Sequence, residues 1–386
     1  MAIDYGITDE LREIQALTRR FVESELWPHE SKVERDDLVP PELRRKLWKR
    51  AVELGLFAFN MPVEAGGMGL PYIAQVLIRE QLGRVSVALA DMVGRPPRAL
   101  LSCNDEQRER FLAPSVRGDK TWAFALTEPG AGSDAMALKT SATPVDGGYK
   151  LDGTKHFISH GNTADFVIVV ARLNDPAQPS GPLATFLVER GTPGFSVGRV
   201  HPKMGWRGYP IAELVFADAF VASSNLLGAA GQGMRIAMGH INEARIGVAA
   251  HCVGMAQRAF EMSLEHARQR VQFKQPIGCF QGVQWMLADM AVAIEQSRAL
   301  LYSAARTMDQ PGDARAVVSM AKLSATEMLA SVADKALQIH GGGGYVAESP
   351  IEMIYRDARA FRIGEGTSEI QRNQIARAVL GREFQA

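Results

Sequence analysis

Cysteine is scarce in this chain of 386 residues: Cys103, Cys252 and Cys279 are the whole supply. The count is odd and no CxxC pair occurs, so neither a disulfide framework nor a thiolate zinc site is indicated, and a reducing compartment fits. All three thiols are expected to be small buried apolar groups. Net charge is also missing, since 43 Lys and Arg balance 43 Asp and Glu. That argues against a protein drawn to nucleic acid or to anionic surfaces by its overall field. No uninterrupted apolar run of about 18 residues appears, so no membrane span is expected. The start, Met-Ala-Ile-Asp-Tyr-Gly, resembles neither a signal nor a transit peptide; a cytoplasmic location is expected, with a processed organellar chain left open. There is no internal repeat, no low-complexity tract, no GxSxG elbow and no Walker A loop. His156 and His160 lie four apart without a matched third ligand, so no metal is expected.

What is present is ample core material, 46% hydrophobic residues, at a length that implies two or three domains. Residues from Thr8 to Arg117 read as helical. Thr8 is a good N-cap for Leu11, Ile14, Leu17 and Phe21, and Pro40-Pro41 opens a second helix that Gly55 ends. Ile73 to Leu82 forms another. The character changes near Thr121. Short β-branched runs follow (Phe166–Val170, Ala184–Val188, Phe195–Val197, Leu214–Phe216), punctuated by turn clusters at Asp146-Gly147-Gly148 and across 174–181. From about Gly233 the pattern is helical again, with long segments over Arg245–Arg270, Val283–Leu301 and Ala314–Gln338. The expected architecture is α+β multidomain: an N-terminal α-helical domain (1–120), a middle β-barrel or sandwich domain (121–230) and a C-terminal four-helix bundle (231–386).

Two stretches carry chemistry. In Arg362-Ile-Gly-Glu-Gly-Thr-Ser-Glu-Ile-Gln-Arg372, Glu365 stands between two glycines just before a helix start. Ser368 and Gln371 read as a capping box, with Ile370, Ile375, Val379 and Leu380 as the apolar face behind it. The glycines leave the backbone open to a ligand. Glu365 is either a base that reaches a carbon-bound proton or a surface carboxylate in a loop. In Ala125-Leu-Thr-Glu-Pro-Gly-Ala-Gly-Ser-Asp134, the glycines permit tight turns whose N–H groups can bind anions, and Thr127 and Ser133 add hydroxyls; an ordinary turn is the alternative.

These two blocks occur in order with Gly153-Thr-Lys-His-Phe-Ile-Ser159, Arg270-Val-Gln-Phe273 and Gln338-Ile-His-Gly-Gly342. Together they resemble the acyl-CoA dehydrogenase family over essentially the whole chain. The resemblance implies FAD between the β-domain and the bundle, an acyl-CoA substrate, electron-transferring flavoprotein as partner, and a homotetramer built as a dimer of dimers. It implies that Phe124, Leu126 and Thr127 contact the isoalloxazine. Gly132 and Ser133 lie by the flavin and the thioester, Phe157 packs on the ring, and Ser159 bonds near N5. Arg270, Gln272, Phe273 and Gln281 reach the ADP half across a dimer, joined by Gln338, Gly341 and Gly342. Thr367 and Glu369 touch FAD after the catalytic loop. Glu365 becomes the general base that takes the α-proton while hydride leaves the β-carbon, with Gly366, Asn242 and Arg245 beside the substrate.

Some positions depart from the family pattern. Ala244 occupies the place where some members carry the base on the first bundle helix, and Glu243, about 100° round the helix, reads as a solvated carboxylate. Gly364 replaces a frequent Tyr and opens the acyl pocket; Phe157 replaces Trp; Asn242 replaces Asp. His340 has no assigned role. Arg84, Arg95 and Arg98 are read as solvated helix-surface arginines in preference to readers of an acidic acyl tail. The competing readings are an oxidase or enoyl-CoA reductase on the same fold and a non-catalytic helical binding protein.

Overall fold

The computed structural model describes residues 4–174 and 181–381. Most of the turn cluster anticipated across 174–181 therefore lies outside the described residues, as does the start of the chain. The N-terminal region is helical. Helix α1 (Asp9–Phe21) starts where Thr8 Oγ1 accepts from the Leu11 N–H at 3.4 Å. Helices α2 (Trp27–Asp36), α3 (Pro41–Glu53) and α4 (Tyr72–Leu82) follow, α3 opening at Pro41 as its fixed φ favours.

The middle region has eight strands: β1 (Trp122–Ala125), β2 (Ser141–Val145), β3 (Gly148–Ser159), β4 (Phe166–Leu173), β5 (Leu183–Glu189), β6 (Phe195–Val200), β7 (Ile211–Ala222) and β8 (Leu226–Leu227). Their hydrogen-bonded order is β6-β7-β3-β2-β4-β5-β8, with β1 parallel to β4 off that path. The run Phe166–Val170 is apolar throughout because both of its faces are covered. Phe166 and Ile168 join the N-terminal core with Phe21, Leu47 and Phe111, while Val167 and Val169 enter an inner core shared with Leu151, Phe186 and Leu214.

The C-terminal region contains α5 (Gly233–Gln269), α6 (Gln281–Met308), α7 (Arg315–His340), α8 (Pro350–Phe361) and α9 (Ser368–Leu380), with a short hairpin of β9 (Val271–Gln272) and β10 (Gln275–Pro276) between α5 and α6. Helix α4 joins this bundle: Ile73, Val76 and Leu77 share its core with Ala249, Cys252 and Leu329. The α4–α5 crossing is tight. A Cβ on Gly254 would lie 1.8 Å from the Glu80 carbonyl oxygen, so only glycine fits there. By length and composition α7 is the one described helix that could cross a membrane, but its Ala325, Leu329 and Val332 are in the bundle core. Cys103 and Cys252 are buried, whereas Cys279 is exposed, against expectation.

Candidate active site

Glu365 lies in the six-residue connection (362–367) between α8 and α9 and takes a left-handed conformation, φ 56°, followed by Gly366 at φ 87°. A non-glycine residue is held there only by its surroundings. Arg245 Nε donates to the Glu365 carbonyl at 3.0 Å, and Gln371 Nε2 donates to the carbonyls of Glu365 (3.2 Å) and Gly366 (2.9 Å). The buried Lys322 Nζ donates to the Gly366 carbonyl at 2.8 Å. These bonds turn the loop carbonyls into the protein. The Glu365 N–H has no protein acceptor among the described residues. A Cβ on Gly366 would come within 2.9 Å of Gln371 Nε2 and 3.1 Å of Arg245, so no side chain fits. At Gly364 a Cβ would meet only the Ala360 carbonyl oxygen, at 3.7 Å, leaving that side open.

The helix start differs from the expected box. Thr367, not Ser368, is the N-cap, accepting from the Ile370 N–H at 3.3 Å. Ser368 Oγ donates to Glu327 at 2.6 Å, and Gln371 is spent on the Glu365 and Gly366 carbonyls. Val379 and Leu380, assigned to the buried face, are exposed.

The Glu365 side chain faces an open cleft, reachable by solvent yet deep among protein atoms. Burial pushes its pKa above the usual carboxylate value, while Arg95, Arg245 and Lys322 pull it back. Asn242 Oδ1 accepts from Arg245 at 3.3 Å, so it positions that guanidinium.

The 125–134 loop follows strand β1. Its backbone closes on itself through the Glu128–Ala131 bridge. The buried Glu128 carboxylate accepts from the N–H groups of Lys139 (2.6 Å) and Thr140 (2.8 Å) and from Lys155 Nζ (2.8 Å). Lys155, fully buried, also donates to the Leu126 carbonyl at 2.9 Å. This pair escaped the sequence reading, although both partners lie in blocks that it quoted. Gly130 and Gly132 face open space, since a Cβ on either would meet nothing within 4 Å. Phe124 packs on His240, with ring centroids 4.6 Å apart, and Leu126 lies beside Ala131 and Leu138 in the seam between sheet and α5. The His156 N–H donates to the Thr127 carbonyl, tying strand β3 to the loop.

In β3 the pairing with β7 slips between Lys155 and Ile158. Phe157 there adopts φ 57°, stacks on His156 and leaves 60% of itself exposed. A strained aromatic ring facing outward beside an unfilled glycine cradle suits a flat ring system such as an isoalloxazine. Ser133 lies on the loop and Ser159 ends β3.

Other expected flavin contacts are not at this cleft. Arg270, Gln272 and Phe273 lie beyond the C-terminal end of α5, about 37 Å along the helix from Arg245. Phe273 is 87% exposed, and Gln281 opens α6 nearby. Gln338, Gly341 and Gly342 are exposed at the end of α7, with Gly341 at φ 58°. Glu369 is exposed in the first turn of α9, two residues past Thr367. His340, which the sequence left without a role, stacks on His266 at 4.5 Å and bonds the Ala336 carbonyl.

The arginines and Glu243 do not lie solvated on helix surfaces as expected. Arg84 is buried and paired with Glu261, far from any surface role. Arg95 and Arg98 are half-buried. Glu243 is buried, accepts from Asn60 at 3.2 Å and lies 3.8 Å from Arg95, while Ala244 is buried beside it. The helix turn that places Arg245 under Glu365 also points Glu243 into the α4 side. No group of metal-binding side chains exists among the described residues.

The three-region fold is that of a flavin-dependent oxidoreductase. Models of the N-terminal, middle and C-terminal domains of acyl-CoA dehydrogenase match residues 8–119, 123–219 and 231–380. The chain belongs to the acyl-CoA dehydrogenase family, whose members use FAD to dehydrogenate or reduce acyl-CoA. It is 40% identical to the acryloyl-CoA reductase (NADH) of Anaerotignum propionicum, covering 98% of this chain and 97% of that one. It is 38% identical to an acyl-CoA dehydrogenase of Bacillus subtilis, covering 97% and 99%. Among solved structures, butyryl-CoA dehydrogenase from Megasphaera elsdenii superposes with a TM-score of 0.90 at 34% identity, over 98% of this chain and all of that one. An FAD complex of PigA gives the same score at 30% identity, covering 98% and 99%.

Proposed function

We propose that this chain dehydrogenates an acyl-CoA thioester between its α and β carbons to a trans-2-enoyl-CoA, holds FAD, and passes its electrons to electron-transferring flavoprotein. The observation that carries this reading is Glu365: a carboxylate in a strained conformation, clamped from behind by Arg245, Gln371 and Lys322, facing an open cleft. Phe124, Leu126, Thr127, Gly132, Ser133, Phe157 and Ser159 hold the flavin ring, with Thr367 and Glu369 beside it. Arg270, Gln272, Phe273, Gln281, Gln338, Gly341 and Gly342 serve the ADP half bound to a neighbouring copy. Their distance from this chain's own cleft supports that division. Bound there, FAD supplies the acceptor for the β-hydride.

Glu365 takes the α-proton. An ordinary Glu, at about 4.3, is too weak a base, and burial raises it toward the task. The unpartnered Glu365 N–H donates to the thioester oxygen and stabilises the enolate as the proton leaves. Arg245 and Asn242 keep the loop and substrate in register, and Gly364 and Gly366 leave room for the thioester.

Reduction of an enoyl-CoA by the same residues, with Glu365 returning the proton, is the second reading. The names of relatives favour it: besides the acryloyl-CoA reductase, a 3-(aryl)acrylate reductase of Clostridium sporogenes and the caffeyl-CoA reductase-Etf complex subunit CarC of Acetobacterium woodii match over nearly the whole chain. Glu365→Gln decides the base assignment. The variant is expected to stay yellow and to lose turnover by roughly three orders of magnitude or more; near-normal turnover would refute it. Direction follows from anaerobic mixing: flavin bleaching by a saturated acyl-CoA supports dehydrogenation, and rapid reoxidation by air alone points to an oxidase.

A further inference from the structure

Two strand irregularities meet at Glu213 on β7. On one side His156 and Phe157 of β3 both stand opposite it, and on the other Gly198 and Arg199 of β6 do. Such bulges re-aim side chains and recur beside active sites. Here they gather two imidazoles under Phe157. The His156 ring stacks on Phe157 with centroids 4.0 Å apart. His201, just past β6, meets His156 edge-on at 4.7 Å and Phe157 at 5.3 Å. Glu213 Oε2 lies 4.0 Å from His156 Nε2. A Cβ on Gly198 would come within 2.5 Å of Glu213 Oε1, so that glycine leaves the carboxylate its place. One face of Phe157 is thus covered, and the ring remains 60% exposed.

Two imidazoles this close do not both carry a proton, because like charges repel. His201 is the one held neutral. Burial, His156 and Arg199 lower its pKa against the pull of Glu213, and its Nε2 is buried without a partner among the described residues. His156 keeps 22% of its side chain in contact with solvent and faces Glu213, itself 30% exposed. The other charges on these elements are spent elsewhere. Lys155 pairs with Glu128, and Lys203 with Asp37. The His156 N–H is taken by the Thr127 carbonyl, which leaves only the ring to titrate. The cluster is therefore one proton site with one counter-ion, set under an outward-facing aromatic ring.

We infer that His156 is a positioning residue and a redox-linked proton site: it seats Phe157 against the flavin and takes up a proton from solvent when FAD is reduced. This rests on the reading above that FAD is held with its ring on Phe157. Reduced FAD carries more negative charge than oxidised FAD, and an imidazole stacked behind the supporting ring feels that charge. The coupling is reciprocal, so a protonated His156 equally favours reduction. The two electrons and the proton of the hydride stay on FAD. The additional proton goes from water to the His156 ring, and no substrate bond is involved. The imidazolium is attracted to the Phe157 face as well. A neutral aromatic ring at 156 would seat Phe157 but could not take up the proton, which separates the two roles.

The test counts protons. FAD-loaded wild type and His156→Phe are reduced electrochemically through a viologen mediator, in weakly buffered solution with a pH-indicator dye, from about pH 5 to 8, the span in which imidazoles titrate. Wild type is expected to take up more protons per FAD bleached than the variant, by up to about one, within part of that span. Equal counts at every pH, in protein that is yellow, overturn the inference and leave the FAD reading intact. Glu213→Gln removes the counter-ion and should move the window of extra uptake to lower pH. An unmoved window overturns the inference too, so this variant decides where His156→Phe fails to hold FAD. His156→Ala removes the ring and should weaken FAD retention by about 10-fold; retention equal to wild type overturns the seating role. Wild-type protein that stays colourless after incubation with FAD overturns both readings.

Discussion

Lys322 shows how much a single residue behind the site controls. It is fully buried, and burial lowers its pKa to about 8. Its ammonium group holds the Gly366 carbonyl and lowers the pKa of Glu365. The base role proposed for Glu365 requires the ionised form, so on that proposal dehydrogenation should rise with pH through its raised pKa. Removing a nearby cation disfavours the carboxylate and raises that pKa further. Lys322→Met is therefore expected to move the acidic limb of the kcat profile to higher pH; an unmoved or acid-shifted limb would contradict this. The sequence flagged Glu365, Gly366 and Arg245 through local motif and family pattern. It could not flag Lys322, which looks like any other lysine on a helix and becomes special only because α7 passes beneath a loop 44 positions later.

Among the elements, the 125–134 loop depends on strand β3 for its shape. The Glu128–Lys155 pair fastens the loop's carboxylate to a fully buried ammonium, and the bond to the Leu126 carbonyl fixes the loop's entry. Hydrogen bonds keep Glu128 below the usual carboxylate value, while burial brings Lys155 to about 8. Lys155→Met strands a buried carboxylate and should cost roughly 3–5 kcal/mol in urea unfolding, with flavin retention falling too; a loss under about 1 kcal/mol would mean that the loop is held some other way. Element identity was largely readable here. Phe166–Val170 became part of β4, and the Thr8, Pro41 and Ile73 signals each fell on a helix. Strands β1 to β3 and helix α8 are harder to read from the sequence: β1 is only four residues long, and polar residues interrupt the apolar ones of β2, β3 and α8.

Across the whole molecule, the three regions are joined by buried polar contacts. Asp357 on α8 accepts from the Trp206 N–H of the middle region at 2.5 Å, and its backbone carbonyl accepts from the Trp206 indole. Burial raises its pKa to about 7. A raised folded-state pKa gives a contribution that is complete below the unfolded value, 3.8, and lost as pH rises through about 7. Asp357→Asn should remove this dependence, so the gap in thermal midpoint between variant and wild type should shift in the variant's favour from pH 5 to pH 8; a constant gap would sink the assignment. Phe273, Trp285, Val379 and Leu380 are exposed apolar groups that a single chain leaves uncovered. A homotetramer would cover them, and light scattering should then give four times the chain's 42.1 kDa. Trp285→Glu should lower that mass and loosen FAD together; a wild-type monomer that retains FAD would contradict the shared site.

The order of helices, strands and helices, the family and the position of Glu365 follow from the sequence itself. They rest on local periodicity, turn chemistry and short motifs, which need no knowledge of distant neighbours. Tertiary structure alone decided that Arg79 and Arg95 lie near one another without acceptors among the described residues, that Glu243 is buried, and that Lys322 clamps the loop around Glu365. Burial and electrostatic partnership are set by which segments meet in space, and α4, α5 and α7 bring together residues that stand more than a hundred positions apart in the chain.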